Sequence, residues 1–243
     1  MHDTAFITAM EFFRLHAPKD AAFRVLDVGG RNVNDRYMNL KTRLTEWFPQ
    51  IDYVCMDIEA ADGVDVVNQP GEGFPLDDES FDFVISTSCF EHDPAFWETF
   101  CEMVRVTKPT GKIYVNAPAN GKFHRYPGDN WRFYGDAGQA LAYWAGRQGW
   151  AVQVDESFHV SPLRDQWIDF VCVWSRCDTP ATAFVLPERV RSTIGPFQEL
   201  LKKHGLRPGQ MLEREEVQPE PKPRLETIPE DDNEEKEDPS TDH

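Results

Sequence analysis

The sequence is short of the features that mark exported, zinc-bound or membrane-embedded proteins. Its five cysteines (Cys55, Cys89, Cys101, Cys172 and Cys177) are odd in number and include no CxxC pair. Neither a disulfide framework nor a zinc site follows from them, and a reducing compartment is expected. No run of about 18 apolar residues exists, and Asp3 and Glu11 interrupt the stretch where a signal peptide would need apolar continuity. A cytoplasmic protein without a membrane span is therefore expected. Positive charge is also scarce, with 25 Lys/Arg against 42 Asp/Glu and a net charge of −17. The imbalance is uneven, because residues 207–243 hold thirteen Asp/Glu against five Lys/Arg. The remaining body is still acidic and would repel a phosphate backbone, so nucleic acid is not an expected partner. Aromatic residues are absent from 207 onward, where Pro and Glu dominate. Such a segment cannot bury enough apolar surface to offset its ordering entropy. The expected organisation is one domain over 1–206 and a disordered acidic tail over 207–243.

What the body does contain is a regular alternation of two periodicities. Phe6, Ile7, Met10 and Phe13 recur at helical spacing between Ala5 and Leu15. Arg24–Val28 is a short β-branched run ending in Gly29-Gly30, as a buried parallel strand meets a tight turn. Tyr37, Leu40, Leu44 and Trp47 share a helical face, with Asn34 or Asp35 placed to cap it and Pro49 to end it. Further strands are predicted at Tyr53–Met56, Val64–Val67, Phe81–Ser86 and Lys112–Val115. Asp93-Pro94 supplies a cap for a helix carrying Trp97, Phe100, Cys101 and Val104, and a turn is predicted over Lys108–Gly111. Asp136 caps a helix with Ala137, Ala140, Leu141 and Trp144 on one face, and Gly149 stands where it should end. Trp150–Val154 and Trp167–Trp174 are strands joined without a helix, hence antiparallel. One more helix, interrupted by Gly195-Pro196, fits Pro187–His204. The sum is a doubly wound α/β fold: a mostly parallel seven-stranded sheet with a terminal antiparallel hairpin.

In open α/β sheets the ligand lies outside the carboxyl ends of the strands, so the polar residues there carry the chemistry. The first strand ends in Asp27-Val28-Gly29-Gly30-Arg31, where glycine lets backbone approach a ligand. The second ends in Asp57, thirty residues on, where a carboxylate can accept both hydroxyls of a ribose. No G-x-G-x-x-G phosphate loop is present. An acid beside the loop instead suits a cofactor with a cationic amino group and a sulfonium, since Coulomb attraction then adds to the hydrogen bonds.

The strings VLDVGGRN, CMDIE, FPLDDESFDFVISTSCFEH and VRVTKPTGKIYVNAP, taken in order, resemble class I S-adenosylmethionine-dependent methyltransferases of the small-molecule, type 11-like kind. The likeness runs from about Arg24 to Pro118 and implies a Rossmann-like methyltransferase fold. It implies that Asp27, Gly29 and Gly30 line the methionine end of S-adenosylmethionine and that Asp57, followed by Ile58, holds the ribose. It implies that Asn68 or Gln69 faces the adenine amino group and that Ser86 and Thr87, in the stretch to Phe90, underlie the cofactor. Two departures from the family pattern stand out: Arg31 and Val33 replace loop glycines, and amides replace the usual adenine-side acid.

The segment Asn120–Tyr134 concentrates rings, charges and turn formers beyond the fifth strand. At that edge it would cover the transferred methyl group, with Tyr126, Trp131 and Arg132 as acceptor-binding residues. Methyl transfer from a sulfonium requires alignment and water exclusion, and a hydroxyl acceptor also requires a base. His124 is the first candidate because its ordinary pKa lies near neutrality, with Asp129 as its orienter or as the base itself and His92 in reserve. No metal is expected, as no His/Asp/Glu group shows ligand spacing. The expected activity is methyl transfer to a small molecule or sugar hydroxyl; a glycan role rests only on the likeness of HRYPGDNWRFY to sugar-modifying methyltransferases. The rival reading is a catalytically inactive methyltransferase-fold scaffold using its acidic tail to bind a basic partner. A nicotinamide oxidoreductase is disfavoured by the missing phosphate loop.

Overall fold

The computed structural model of the chain describes residues 3–32, 39–161, 167–181, 184, 196–206 and 208–209. Seven strands form one sheet in the order β3-β2-β1-β4-β5-β7-β6, and a two-residue eighth strand borders β6. They are β1 (Phe23–Val28), β2 (Ile51–Asp57), β3 (Val66–Val67), β4 (Phe81–Thr87), β5 (Thr107–Pro118), β6 (Val152–Val160), β7 (Asp169–Arg176) and β8 (Pro208–Gly209). Strands β1 to β5 are mutually parallel, while β7 inserts antiparallel between β5 and β6. The order reverses between β1 and β4, which opens a crevice at their carboxyl ends.

The strands read as continuous apolar runs because helices cover both faces. Leu26, Val84, Ile113 and Trp174 point to the side packed by Phe100 and Val104 of α3 (Phe96–Val106) and Leu141 of α4 (Ala137–Arg147). The alternate residues Val25, Phe83, Tyr114 and Val173 meet α1 (Asp3–His16), α2 (Leu40–Trp47) and α5 (Pro196–Lys202). Phe12 of α1 stacks among Phe83, Tyr114 and Phe197, and the Tyr114 hydroxyl donates to Thr8 Oγ1 at 2.8 Å.

Element boundaries differ from the sequence reading where local capping chemistry overrode it. Helix α2 begins at Leu40 with Asn39 as its cap, its side chain accepting from the Thr42 amide at 3.1 Å. The expected caps Asn34 and Asp35, with Tyr37, lie outside the described residues. Helix α3 starts only at Phe96, yet Asp93 still serves its first turn by accepting from the Ala95 amide and the Thr99 hydroxyl. The turn expected over Lys108–Gly111 is an excursion inside β5. Between the pairs Phe81–Thr107 and Phe83–Lys112, β4 advances two residues while β5 advances five. Beyond the expected boundary at 206, Pro208 and Gly209 pair antiparallel with Val160 and His159. Of the helix read over Pro187–His204, the described part is α5; residues 185–195 lie outside.

Candidate functional site

A cavity of about 860 Å³ opens at the carboxyl edge of β1, β2 and β4, and the loop after β5 closes over it. That is within the size range of small-molecule sites, roughly 300–1,000 Å³. Asp27, Gly29, Gly30, Asp57, Ile58, Asn68, Gln69 and Thr87 all contribute to its wall.

Asp27, the penultimate residue of β1, is almost fully buried, at 4% exposure. Its Oδ2 accepts from the Tyr53 hydroxyl at 2.5 Å, while Oδ1 has no hydrogen-bond partner among the described residues. Burial, joined by the nearby Asp57 charge, pushes its pKa up to about 6 against the opposing Tyr53 bond. The double glycine is required by packing. Gly29 adopts φ +75°, and a Cβ there would stand 2.3 Å from Cys89 Sγ; a Cβ on Gly30 would stand 2.3 Å from Asp27 Oδ2. Asp57 is held from its own side by the backbone N–H of Arg31 at 3.2 Å and of Glu59 at 3.3 Å. The Arg31 guanidinium, 3.6 Å from Asp57, also pairs with Glu59. Gln69 donates to the Ile58 carbonyl at 2.9 Å, which fixes its amide against the strand end. Ser86 is not part of the cavity wall: its hydroxyl donates to the Val28 carbonyl and ties β4 to β1.

The other part of the wall is built by two segments clamped together. The Glu91 carbonyl accepts from the amides of Asn130 (2.7 Å) and Trp131 (3.2 Å), and the Asn130 side chain donates to the His92 carbonyl at 2.8 Å. This brings Glu91, His92, His124 and Tyr126 to the same cavity. Asp129 lies behind His124, accepting its backbone N–H at 2.7 Å, with the imidazole Nδ1 at 3.4 Å. Arg132 grips Asp129 through two bonds of 2.6 and 2.9 Å and holds its carboxyl down at about 2, so it stays charged. Arg132 is thereby committed to Asp129 and is outside the cavity wall. Trp131 also turns away: its indole N–H donates to the Asp93 carbonyl and its ring packs on Phe96 and Trp97.

Three participants were not singled out as site residues in the sequence, although Cys89 lies in the Ser86–Phe90 stretch expected beneath the cofactor. Tyr53 reaches Asp27 across neighbouring strands, which only the register reveals. Cys89 seats the Gly29 turn, with its thiol pushed well above the ordinary range by burial. Glu91 is 1% exposed, burial raises its carboxyl to about 8, and its Oε2 has no hydrogen-bond partner among the described residues. The only signal for it in the sequence was its place beside His92 at a strand end.

The sequence model of the family described as "Methyltransferase domain" matches residues 33–115. Among solved structures, the chain is similar to a putative sarcosine dimethylglycine methyltransferase from Galdieria sulphuraria, with 16% identity and a TM-score of 0.52. That alignment covers 72% of this chain and 86% of the other. It is also similar to a structure titled as the complex between the Haloferax volcanii Trm112 methyltransferase activator and the putative methyltransferase. There the identity is 16%, the TM-score 0.50, and the coverage 72% of this chain and 92% of the other. No curated protein matched in sequence. At these identities the structures establish the fold alone. The family match spans residues 33–115, about a third of the chain, and the sheet and helices around it have the fold of S-adenosylmethionine-dependent methyltransferases. The residues present suit that cofactor, because a buried carboxylate oxygen without a partner, Asp27 Oδ1, stands at the wall of a cavity of sufficient size.

Proposed function

We propose that the protein is a cytoplasmic methyltransferase that moves the methyl group of S-adenosylmethionine to the hydroxyl of a small molecule or sugar, with glycan modification as one setting for it. The observation that carries the reading is one cavity walled both by strand-end acids, Asp27 and Asp57, and by an imidazole pair, His92 and His124. All five cysteines are unpaired, in keeping with a reducing compartment.

When bound, the cofactor supplies an activated methyl group. In this reading Asp27 Oδ1 receives the cofactor's ammonium, Asp57 accepts the ribose hydroxyls, and Asn68 or Gln69 meets the adenine through an amide oxygen. Backbone at Gly29 and Gly30 allows close approach, and Ile58 and Thr87 complete the floor. His124 takes the proton of the acceptor hydroxyl, and Asp129 orients it. Asp129 is not the base, since a carboxyl held at about 2 has little proton affinity at neutral pH. Tyr126, 59% exposed at the mouth, offers a ring on which a sugar face can lie.

The inactive-scaffold reading has one observation in its favour: Arg31 takes a glycine's place and leans on Asp57. Calorimetric titration with S-adenosylhomocysteine separates the two. Saturable binding is expected, weakened by about 1–3 kcal/mol in Asp57→Ala through loss of charge-assisted hydrogen bonds. Absence of binding would favour the scaffold, and unchanged affinity in Asp57→Ala would remove that residue from the site.

A further inference from the structure

Two imidazoles and a carboxylate converge on the cavity although nothing in their sequence spacing announces it. One ligand atom each from Glu91, His92 and His124 lies within 4.8 Å of the others. The group is not a hydrogen-bonded network. His92 Nε2 and Glu91 Oε1 are 3.5 Å apart, at the limit of any such bond, and Glu91 Oε2 is buried without a hydrogen-bond partner. The other ring nitrogens are already engaged: His92 Nδ1 is 2.6 Å from the Gly128 carbonyl, and His124 Nδ1 is 3.3 Å from the Lys122 carbonyl. A carbonyl can only accept, so each Nδ1 carries a proton, and the neutral form of each imidazole keeps its lone pair on Nε2. Glu91 Oε2 lacks the hydrogen-bond compensation that burial demands, which a cation held between the three side chains would supply.

Backbone carbonyls behind both imidazoles are the arrangement that fixes metal-binding histidines in tautomer and direction. Asp129, 3.4 Å from His124 Nδ1 and anchored by Arg132, adds a carboxylate to that supporting layer. The clamp from Asn130 and Trp131 to Glu91 sets the segment of the third ligand against that of the first two.

We propose that Glu91, His92 and His124 form a binding site for a divalent transition ion of the zinc class, with a coordination position open to the cavity. Two nitrogens and one oxygen suit Zn²⁺ or Co²⁺, whereas Mg²⁺ and Ca²⁺ prefer oxygen throughout. Three protein ligands leave the vacancy that catalytic sites of this type keep for a water or substrate oxygen. Ligand atoms sharing one ion at about 2.1 Å stand roughly 3.4 Å apart, so from a spread within 4.8 Å binding draws the widest pair in by at most about 1.4 Å, while Glu91 and His92, at 3.5 Å, are already at that spacing. The role of the vacancy rests on the reading of the cavity as a hydroxyl methyltransferase site. An ion there would make an acceptor hydroxyl at the vacancy more acidic, so that its proton is lost to solvent more readily. With the ion bound His124 would serve as a ligand, and without it the same imidazole is the base for the acceptor hydroxyl.

The untagged full chain, stripped with chelator and dialysed, is titrated with Co²⁺ by visible absorption and with Zn²⁺ by calorimetry. Binding of one ion per chain is expected, with Co²⁺ bands of low-symmetry four- or five-coordination. Glu91→Gln and His92→Ala should each weaken binding at least tenfold. His124→Ala, a change on a half-exposed loop, should do the same without loss of fold. Absence of stoichiometric binding, or affinity unchanged in both Glu91→Gln and His124→Ala, would overturn the site. S-adenosylhomocysteine binding is measured on the same metal-free protein. If it fails while Co²⁺ binds, the methyltransferase reading falls and the metal site stands; the reverse outcome sinks the metal site alone.

Discussion

At the scale of single residues, Asp27 is where stability and binding oppose each other. Its folded pKa of about 6 lies above the unfolded value of 3.8. A raised acid favours the fold while protonated: the contribution is complete below the unfolded value and is lost as pH rises through about 6. Two units correspond to about 3 kcal/mol, as an order of magnitude for so buried a group. A cationic ligand facing Oδ1 needs the ionised form, so binding pulls the pKa back down. Affinity for S-adenosylhomocysteine should rise from pH 5 toward about 6 and level off above it, with proton release on binding near pH 6, read by calorimetry in two buffers of different ionisation enthalpy. Asp27→Asn keeps an acceptor for Tyr53, so it should hold or raise the neutral-pH melting temperature while weakening the ligand at least tenfold. A flat profile and unchanged affinity would mean that Asp27 is a structural group. Asp27, Gly29, Gly30 and Asp57 were legible because strand ends punctuate a sequence with small and acidic residues. Tyr53 and Glu91 were not, because what makes them matter is a neighbour in another strand or loop.

At the scale of elements, periodicity located every described helix and every described strand except β8, while ends were decided by individual hydrogen bonds. Asn39 caps α2, so Asn39→Ala should cost about 1 kcal/mol in urea denaturation. Phe12 is fully buried in α1 between β4, β5 and α5, and Phe12→Ala should cost about 3–5 kcal/mol. Equal effects of the two would contradict the placement of α1 in the core. The Lys108–Gly111 excursion shows why the turn signal was only half informative. Pro and Gly there do mark a departure from the ladder, but β4 pairs with β5 both before it, at Thr107, and after it, where β7 joins from Lys112 onward. The loop after β5 read as chemistry throughout, yet Trp131 and Arg132 are spent on holding it. Rings and charges in a loop do not disclose which of them face the ligand.

At the scale of the whole molecule, the question is where the folded body ends. Contacts divide the chain after Leu212, although composition placed the boundary at 206. The difference turns on two residues, Pro208 and Gly209, which pair with His159 and Val160 along the outer side of β6. That side is otherwise the end of the sheet, and an unpaired edge is open to pairing with a second chain. Leu206, 1% exposed, anchors the approach to it. Two truncations separate the readings. A chain ending at Leu212 loses thirteen acidic residues but no described pairing, so its melting temperature and S-adenosylhomocysteine affinity should match those of the full chain. A chain ending at Leu206 also loses the β8 ladder, at roughly 1–3 kcal/mol for a pair of hydrogen bonds, which lowers melting by several degrees for a body of this size. The exposed β6 edge should also raise the tendency to associate, read by light scattering. If the chain ending at Leu212 already melts several degrees lower, the acidic segment contributes to the folded body, and its composition alone was a poor guide to its role.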